Sequence, residues 1–418
     1  MNGICIFEDS GYSGLLPLVY TRPVYQLRCG VLGLEEKILH QYPGASVSLF
    51  CRDYLADVLK EISKQRINTL DTGAEGYLFV NGRLLECAPI PLEGPEEVGL
   101  SDSTLVYARL GKGRFRELEA GDFLEDKALK KLEGLPKREV SPTLINYFWD
   151  IIKHNREEIK RDWQRVGAGL PRPYRGINGR VYEGVSLLNP DNIFTGSGSS
   201  IKPGCVLDAE GGPIFIAEEV LVEPSTTILG PAYIGKGAIV RPSTRLREGS
   251  NVGEYCKVGG EISNSILHGY SNKQHDGFLG DSYIGSWVNL GAGTTNSNLK
   301  NTYGNVLVQF GDRMMDSGET FLGAIIGDHT KVGINSSLPA GGIVGFSCNV
   351  IGRYPVPRFV PSFSWCAERI QTYHLDNALE VARRTMSRRQ KTLSEAEEAL
   401  FQRIHELTQE ARGVTPYI

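Results

Sequence analysis

Between Pro213 and Glu261 an aliphatic residue returns at every sixth position: Ile216, Val222, Ile228, Ile234, Val240, Leu246, Val252 and Val258. Eight residues in one phase fit neither the 3.6-residue turn of a helix nor the two-residue alternation of a surface strand. If each hexad supplies one short strand and one turn, three hexads close a triangular coil, and every sixth side chain points at the prism axis. Gly235, Pro224, Gly253 and Pro242 then fall at corners, where tight backbone geometry is needed. The pattern predicts a left-handed parallel β-helix, a solenoid in which coils stack to build one continuous core. A β-sandwich would alternate with period two along each strand and would not hold a single phase over eight hexads. The phase breaks at Ile262–Gly277, resumes at Ile284 and Leu290, and resumes again at Ile326, Val332, Leu338, Val344 and Val350. The breaks read as insertions projecting from an uninterrupted prism.

Upstream the pattern changes. GICIF, SVSLF, GYLFVNG and STLVYAR are short apolar strand candidates, while VLGLEEKILHQY, RDYLADVLKEISKQ and INYFWDIIKHNREEIKRDWQRV carry helical apolar spacing. Such alternation predicts a mostly parallel sheet covered by helices. Gly and Pro in GAGLPRPYRG stop the last helix and suggest a linker. Beyond the prism, the Pro-rich RYPVPRFVPSF precedes two helical stretches. The second opens with a Ser394/Glu397 capping box and shows an apolar face of Leu400, Ile404 and Leu407; it is expected to pack on a neighbouring prism or on the α/β domain. The expected organisation is an α/β domain over 1–170, a linker over 171–185, the β-helix over 186–354 and a helical extension over 355–418.

Length and composition narrow the function. A chain of 418 residues is too long for one ordinary core. With 45 basic and 49 acidic residues the net charge is −4, which offers no global attraction to nucleic acid or an anionic membrane. An anionic substrate must therefore be held locally, by a few cations. The eight cysteines include no CxxC pair, so they read as reduced, buried thiols and not as a zinc site. No basic leader with an apolar stretch opens the chain and no 18-residue apolar run interrupts it, which leads to an expectation of a cytoplasmic protein.

A regular prism has no deep cleft, so chemistry is expected where its repeat is interrupted. His275 lies at such a point, in a segment that also carries Asp281, Asn289, Asn296 and Asn298. Acyl transfer from a thioester to an amine needs a base, and neutral imidazole suits that role near neutral pH. Taken alone, a loop histidine such as His275 is more often a surface or hydrogen-bonded residue than a catalyst, and Asn298 is compatible with a corner residue at positive φ.

The 24-residue run from His275 to Asn298, with its LGDSxIGxxVNxGAGT core, closely resembles the acetyltransferase domain of the bifunctional N-acetylglucosamine-1-phosphate uridyltransferase/glucosamine-1-phosphate acetyltransferase family and its archaeal relatives. The resemblance implies that His275 is the general base, that Asn289 and Asn298 contact the amino sugar and acetyl group, and that Ala292 lies along the acetyl-CoA arm, with Gly323 and Ala324 in LGAIIG continuing that surface. Phe278 stands where many members have a Tyr touching the sugar phosphate, and Ser263 where a phosphate-binding Lys is usual. Arg247 matches the other phosphate-binding position, and an Arg fork can hold a phosphate bidentately; a solvated corner side chain is the equal alternative. Because hexapeptide prisms of this kind share acyl-CoA between neighbours, the resemblance also implies a homotrimer.

The first domain resembles the family's nucleotidyltransferase. Leu16-Pro17-Leu18 and Thr21-Arg22-Pro23 match its triphosphate loop, with Val24 replacing a Lys that Arg28 could substitute. INYFWDIIKHN matches the segment in which the residue at Asn146 helps hold Mg²⁺. Where the family carries a second metal ligand, FVNGRLL offers Asn81, Gly82 and Arg83, none of them a carboxylate of the kind a hard cation prefers. The implied activity is acetylation of glucosamine 1-phosphate followed by uridylyl transfer from UTP, using acetyl-CoA and Mg²⁺. Two alternatives stand beside it: a nucleotidyltransferase whose prism is a scaffold, and an acetyltransferase whose first domain binds sugar nucleotide without turnover. A zinc-dependent hexapeptide-repeat hydratase would need three imidazoles around one metal, and the seven dispersed histidines do not supply them.

Overall fold

The computed structural model describes residues 3–111, 113–169, 176–310, 313–351 and 356–413. Residues 170–175 of the expected linker and 352–355 of the Pro-rich bridge lie outside them. Contacts divide the chain into two units. The first comprises Met1–Leu27, Leu32–Phe148 and Ser394–Arg403; the second comprises Arg28–Val31, Trp149–Leu393 and Ile404–Ile418.

The first unit is built on a seven-stranded sheet whose strands, in spatial order, are Arg66–Ile67, Ser46–Phe50, Gly3–Phe7, Gly76–Asn81, Thr104–Gly111, Glu97–Ser101 and Lys137–Glu139. The first four run parallel, as alternation with helices requires. Thr104–Gly111 then pairs antiparallel with both neighbours. That hairpin turns tightly enough for Asp102 to take φ 51°. Gly3–Phe7 is buried along its whole length, as a central strand covered on both faces must be. Helices Leu34–Leu39 and Ala56–Ile62 lie within the segments whose spacing predicts them.

The second unit is a left-handed parallel β-helix. Its three faces are sheets of eleven, six and nine strands. All eight hexad residues from Ile216 to Val258 are completely buried in one core cluster. Register runs straight up the axis: on one face Ile216 pairs with Ile234, Ile234 with Val252, Val252 with Leu267 and Leu267 with Ile284.

The break expected at Ile262–Gly277 is not an insertion. Strands Glu261–Ser263, Ile266–Gly269 and Asn272–Lys273 stay in the three ladders. The coil is merely shorter: Lys257 pairs with Asn272, 15 residues on, where Ile239 pairs with Lys257, 18 residues on. Residues are lost at the corners, so the sequence period fails while the spatial register holds. The second break is an insertion. Tyr283 pairs with Ile325, and the excursion between them carries the hairpin Leu307–Phe310/Arg313–Asp316.

At its far end the prism closes with Ser364–Cys366, on which Ile370–Thr372 folds back antiparallel. Helices Leu375–Ser387 and Glu395–Leu407 follow. The capping box is present in both directions: Ser394 N donates to Glu397 Oε2 (2.8 Å) and Glu397 N donates to Ser394 Oγ (3.1 Å). The apolar face differs from expectation. Leu400 and Ile404 are buried, but Leu407 is 47 % exposed, and Phe401 and Thr408 complete the buried stripe. The face is rotated toward the i, i+4, i+8 row of Leu400, Ile404 and Thr408. Among the described residues no helix is long and apolar enough to cross a membrane.

Because the axis is close-packed, truncating one column member leaves a cavity that stacked coils above and below cannot fill. Ile234→Ala should lower the unfolding free energy by about 2–5 kcal/mol, read from urea denaturation of the full chain.

Candidate functional site

His275 sits on the turn Gln274–Gly277, which joins strand Asn272–Lys273 of the eleven-stranded face to strand Phe278–Gly280 of the six-stranded face. The turn is pinned from both sides: Glu261 N donates to Gly277 O (3.2 Å) from the coil before, and Gly293 N donates to Asp276 O (3.0 Å) from the coil after. Gly277 is at φ 128°, and a Cβ there would lie 2.1 Å from Thr294 O, so only glycine lets the coils approach this closely. The His275 side chain is exposed at the rim of a depression of about 630 Å³, shared with Arg241, Gln274, Asp276 and Ala292. Arg241 fixes one wall through two bonds to Gln274 Oε1 and an ion pair with Glu223 at 3.5 Å.

Beneath the turn lies a residue that sequence reasoning missed. Lys273 occupies an inward position, paired with Val258 in the coil below, where every neighbouring coil carries an aliphatic residue. It is buried, and its Nζ donates to the carbonyl of His275 and, more loosely, to that of Gly259 (3.5 Å). Burial pushes the Lys273 ammonium down to about 8, against an opposing pull from Asp276. The signal was in the sequence: Leu267, Lys273 and Leu279 are six residues apart, so the interior phase runs through the lysine.

The sequence-predicted residues fall into separate groups. His275 and Ala292 share the depression. Asn298 donates to Asp281 Oδ2 (2.7 Å), while Asn264 donates to Asp281 Oδ1 (2.7 Å), so one carboxylate gathers two amides. Asn296 is buried and structural, bonded in both directions to the backbone of Gly280. Asn289 lines a second pocket, where its Oδ1 lies 3.4 Å from Asn272 Nδ2. Phe278 stacks in register over Glu261 on the outside of the six-stranded face. Arg247, 53 % exposed in its side chain, reaches the same Glu261 at 3.5 Å, as does Arg245 at 3.2 Å. Gly323 and Ala324 lie inside the wall, not at the depression: a Cβ on Gly323 would meet Gly280 O at 2.0 Å, and Ala324 is fully buried in the core.

In the first unit the C-terminal ends of the two central parallel strands carry a dense polar network, the usual place for a ligand on an open α/β sheet. The Arg83 fork takes both oxygens of Asp9, at 2.7 and 2.6 Å, and also donates to Asn146 Oδ1. Asn81 Nδ2 donates to Asp9 Oδ2 (2.8 Å), and its Oδ1 accepts from Arg83 N (2.9 Å). Gly82 packs against the ring of Tyr25. Alongside, Glu8 is buried and accepts from Arg52 and from Val24 N, while Arg52 also donates to the carbonyls of Val19 and Arg22. Arg22 is itself buried, its guanidinium bonded to Leu18 O (3.1 Å). Arg28 clusters with the second unit, where its guanidinium lies 5.0 Å from the centre of the Tyr233 ring and donates to Val31 O.

This donor set does not fit Mg²⁺. The Arg83 guanidinium already takes both oxygens of Asp9 and the Asn146 amide oxygen, so a second cation there would meet repulsion, and among the described residues no group of His, Cys, Asp or Glu is placed to hold a metal ion. The seven buried cysteines are free thiols, and burial pushes several up, Cys51 and Cys256 to about 12.

Residues 4–169 match the family described as sugar nucleotidyl transferase. The chain is 30 % identical over 192 residues to the bifunctional protein GlmU of Picosynechococcus sp., covering 44 % of this chain and 38 % of that protein. It is 38 % identical over 136 residues to a bifunctional sugar-1-phosphate nucleotidylyltransferase/acetyltransferase of Sulfurisphaera tokodaii, covering 32 % of this chain and 34 % of that one. These matches span little more than a third of the relatives' lengths, and they bear out the resemblance to the bifunctional family. Among solved structures, the UDP-N-acetylglucosamine acyltransferase from Campylobacter jejuni aligns at 13 % identity and a TM-score of 0.21, over 54 % of this chain and 94 % of that one.

Two desolvated lysines, Lys273 inside the wall and the half-buried Lys331, give the prism a pH signature. Lys331 donates to the carbonyls of Trp287 and His329 (both 2.7 Å), and burial pushes its ammonium down to about 7. An unfolded lysine titrates near ~10.4, so above about 7 for Lys331, and above about 8 for Lys273, the unfolded chain binds more protons than the folded one. Stability then rises with pH through that window, and the full penalty applies below it. Urea titrations of wild type and Lys331→Met should therefore differ most near neutrality, with the variant's relative advantage shrinking toward pH ~10; parallel pH profiles would refute the assignment.

Proposed function

We propose that the β-helix unit moves an acetyl group from acetyl-CoA to the amine of glucosamine 1-phosphate. The observation that carries this reading is an imidazole exposed at the rim of a depression that also holds Ala292, on a turn fixed to the coils before and after it. In the step, the amine nitrogen attacks the thioester carbonyl, His275 accepts the proton that the nitrogen gives up, and the C–S bond breaks to release the CoA thiolate, which takes a proton in turn. Lys273 holds the peptide of His275 from inside the prism, which orients the imidazole outward. Arg247, beside Arg245 on the neighbouring face, is suited to the sugar phosphate, although Glu261 partly neutralises both.

For the α/β unit the family reading is uridylyl transfer to the acetylated product. The Arg83–Asp9–Asn146 arrangement favours a second reading, in which the unit binds a sugar nucleotide without Mg²⁺-dependent turnover. One assay separates the two. Purified protein is supplied with acetyl-CoA, glucosamine 1-phosphate, UTP and Mg²⁺, and free thiol and pyrophosphate are followed together. His275→Ala should abolish thiol release by more than about a hundredfold, without altering pyrophosphate release when N-acetylglucosamine 1-phosphate is supplied directly as the acceptor; undiminished acetylation would sink the base assignment. No pyrophosphate from wild type would support the second reading.

A prism that shares its acyl donor between neighbours works as a trimer. Light scattering of the full chain should give three times the 46.0 kDa chain mass, and a monomer would contradict the shared site.

A further inference from the structure

The outward column of the eleven-stranded face changes character for five successive coils. In register it reads Ile239, Lys257, Asn272, Asn289, Lys331 and then Asn349. Helix Leu375–Ser387 lies over this stretch and brings Arg384, Arg388 and Arg389 to the same side, enclosing a pocket of about 370 Å³. Five basic side chains line it, none of the described lining residues carries a carboxylate, and the amides of Asn272, Gln274 and Asn289 supply neutral donors. Gln274 also lines the His275 depression, so the two cavities adjoin along one side chain.

Part of this charge has local explanations. Arg384 pairs with Glu380 at 2.7 Å, and arginines at a helix C-terminus complement its dipole. Arg389 donates to Asn272 Oδ1 (2.9 Å), and Lys331 to two carbonyls. Those contacts leave Lys257 and Arg388 without an ion-pair partner among the described residues. Burial, and after it the charges of Arg389, Arg241 and Arg388, hold Lys257 below the ordinary lysine range. Cations concentrated in a partly enclosed space, with amides between them and no counter-charge in the lining, are what a multiply charged anion requires.

We propose that this pocket binds a diphosphate group, with Lys257, Arg388 and Arg389 contacting its oxygens and the Asn272 and Gln274 amides completing the shell. The pocket adjoins the His275 depression through Gln274 and is also lined by Asn289, but the charge that carries this proposal does not depend on the acetylation reading. The probe is inorganic pyrophosphate, titrated calorimetrically into the full-length protein at low ionic strength. Uridine 5′-diphosphate runs as a second arm, to tell a free anion from a diphosphate carried on a nucleoside.

The expected result is one pyrophosphate per chain, weakened at least about tenfold in Lys257→Met/Arg388→Gln and retained in Lys257→Arg/Arg388→Lys, with melting temperature unchanged in both. Tighter binding of the nucleoside diphosphate would support a diphosphate presented on a larger molecule, and equal binding would support the free anion. Absence of pyrophosphate binding to wild type, equal affinity in the charge-deleted variant, or displacement by an equal concentration of sulfate would each overturn the proposal.

Discussion

In a parallel β-helix each coil must return its inward side chains directly above those of the coil below. The backbone ladder enforces this, because a shift of one residue along a strand would turn the whole inward set to solvent. Here the requirement holds over coils of unequal length. Val240, Val258, Lys273, Leu290, Val332 and Val350 form one vertical column although 15, 17, 18 and 42 residues separate successive members. Length is adjusted only between strands, at corners or in an excursion such as the hairpin Leu307–Phe310/Arg313–Asp316. The candidate chemistry sits where that adjustment is made, since a corner is the one part of the coil free to change composition without breaking register.

The same constraint explains why the site costs stability. A column position filled by Lys273 places an amine among aliphatic side chains, and the backbone carbonyls of Gly259 and His275 compensate it only partly. In the α/β unit a comparable choice is made with opposite charges: Asp9 with Arg83 and Glu8 with Arg52 are buried pairs whose Coulombic attraction must offset desolvation of both partners. These networks are dense because each fork also satisfies backbone carbonyls or amides, as Arg52 does with Val19 and Arg22. Fixed charge of this kind holds loops in place at the strand ends, and it leaves little coordination capacity for a divalent ion.

Much of this was legible in the residues alone. The hexads gave the prism because burial along one axis leaves a period that no other element shares, and Ser394/Glu397 gave a helix start because two orphan amides are satisfied reciprocally. The resemblance around His275 located a turn that the structure then shows to be solvent-exposed and anchored. What could not be read was spacing lost at corners, which made Ile262–Gly277 look like an insertion. Also hidden were partners distant in sequence, such as Arg83 beside Asp9 and Asn146, and the inward-facing walls that remove Gly323 and Ala324 from the surface. Sequence pattern reports which face a residue takes; it says little about which charges meet when three strands converge.

A solenoid has no intrinsic last coil, and its terminal rung offers unpaired backbone groups to any strand that arrives in the same direction. In this chain the strand Ile370–Thr372 reverses over Ser364–Cys366 and takes up those groups antiparallel. The polarity of that ladder is thereby inverted at the tip, so this face offers no parallel edge to a further coil. On that face, length control is thus written into the fold as a change of direction at the point where the repeat stops.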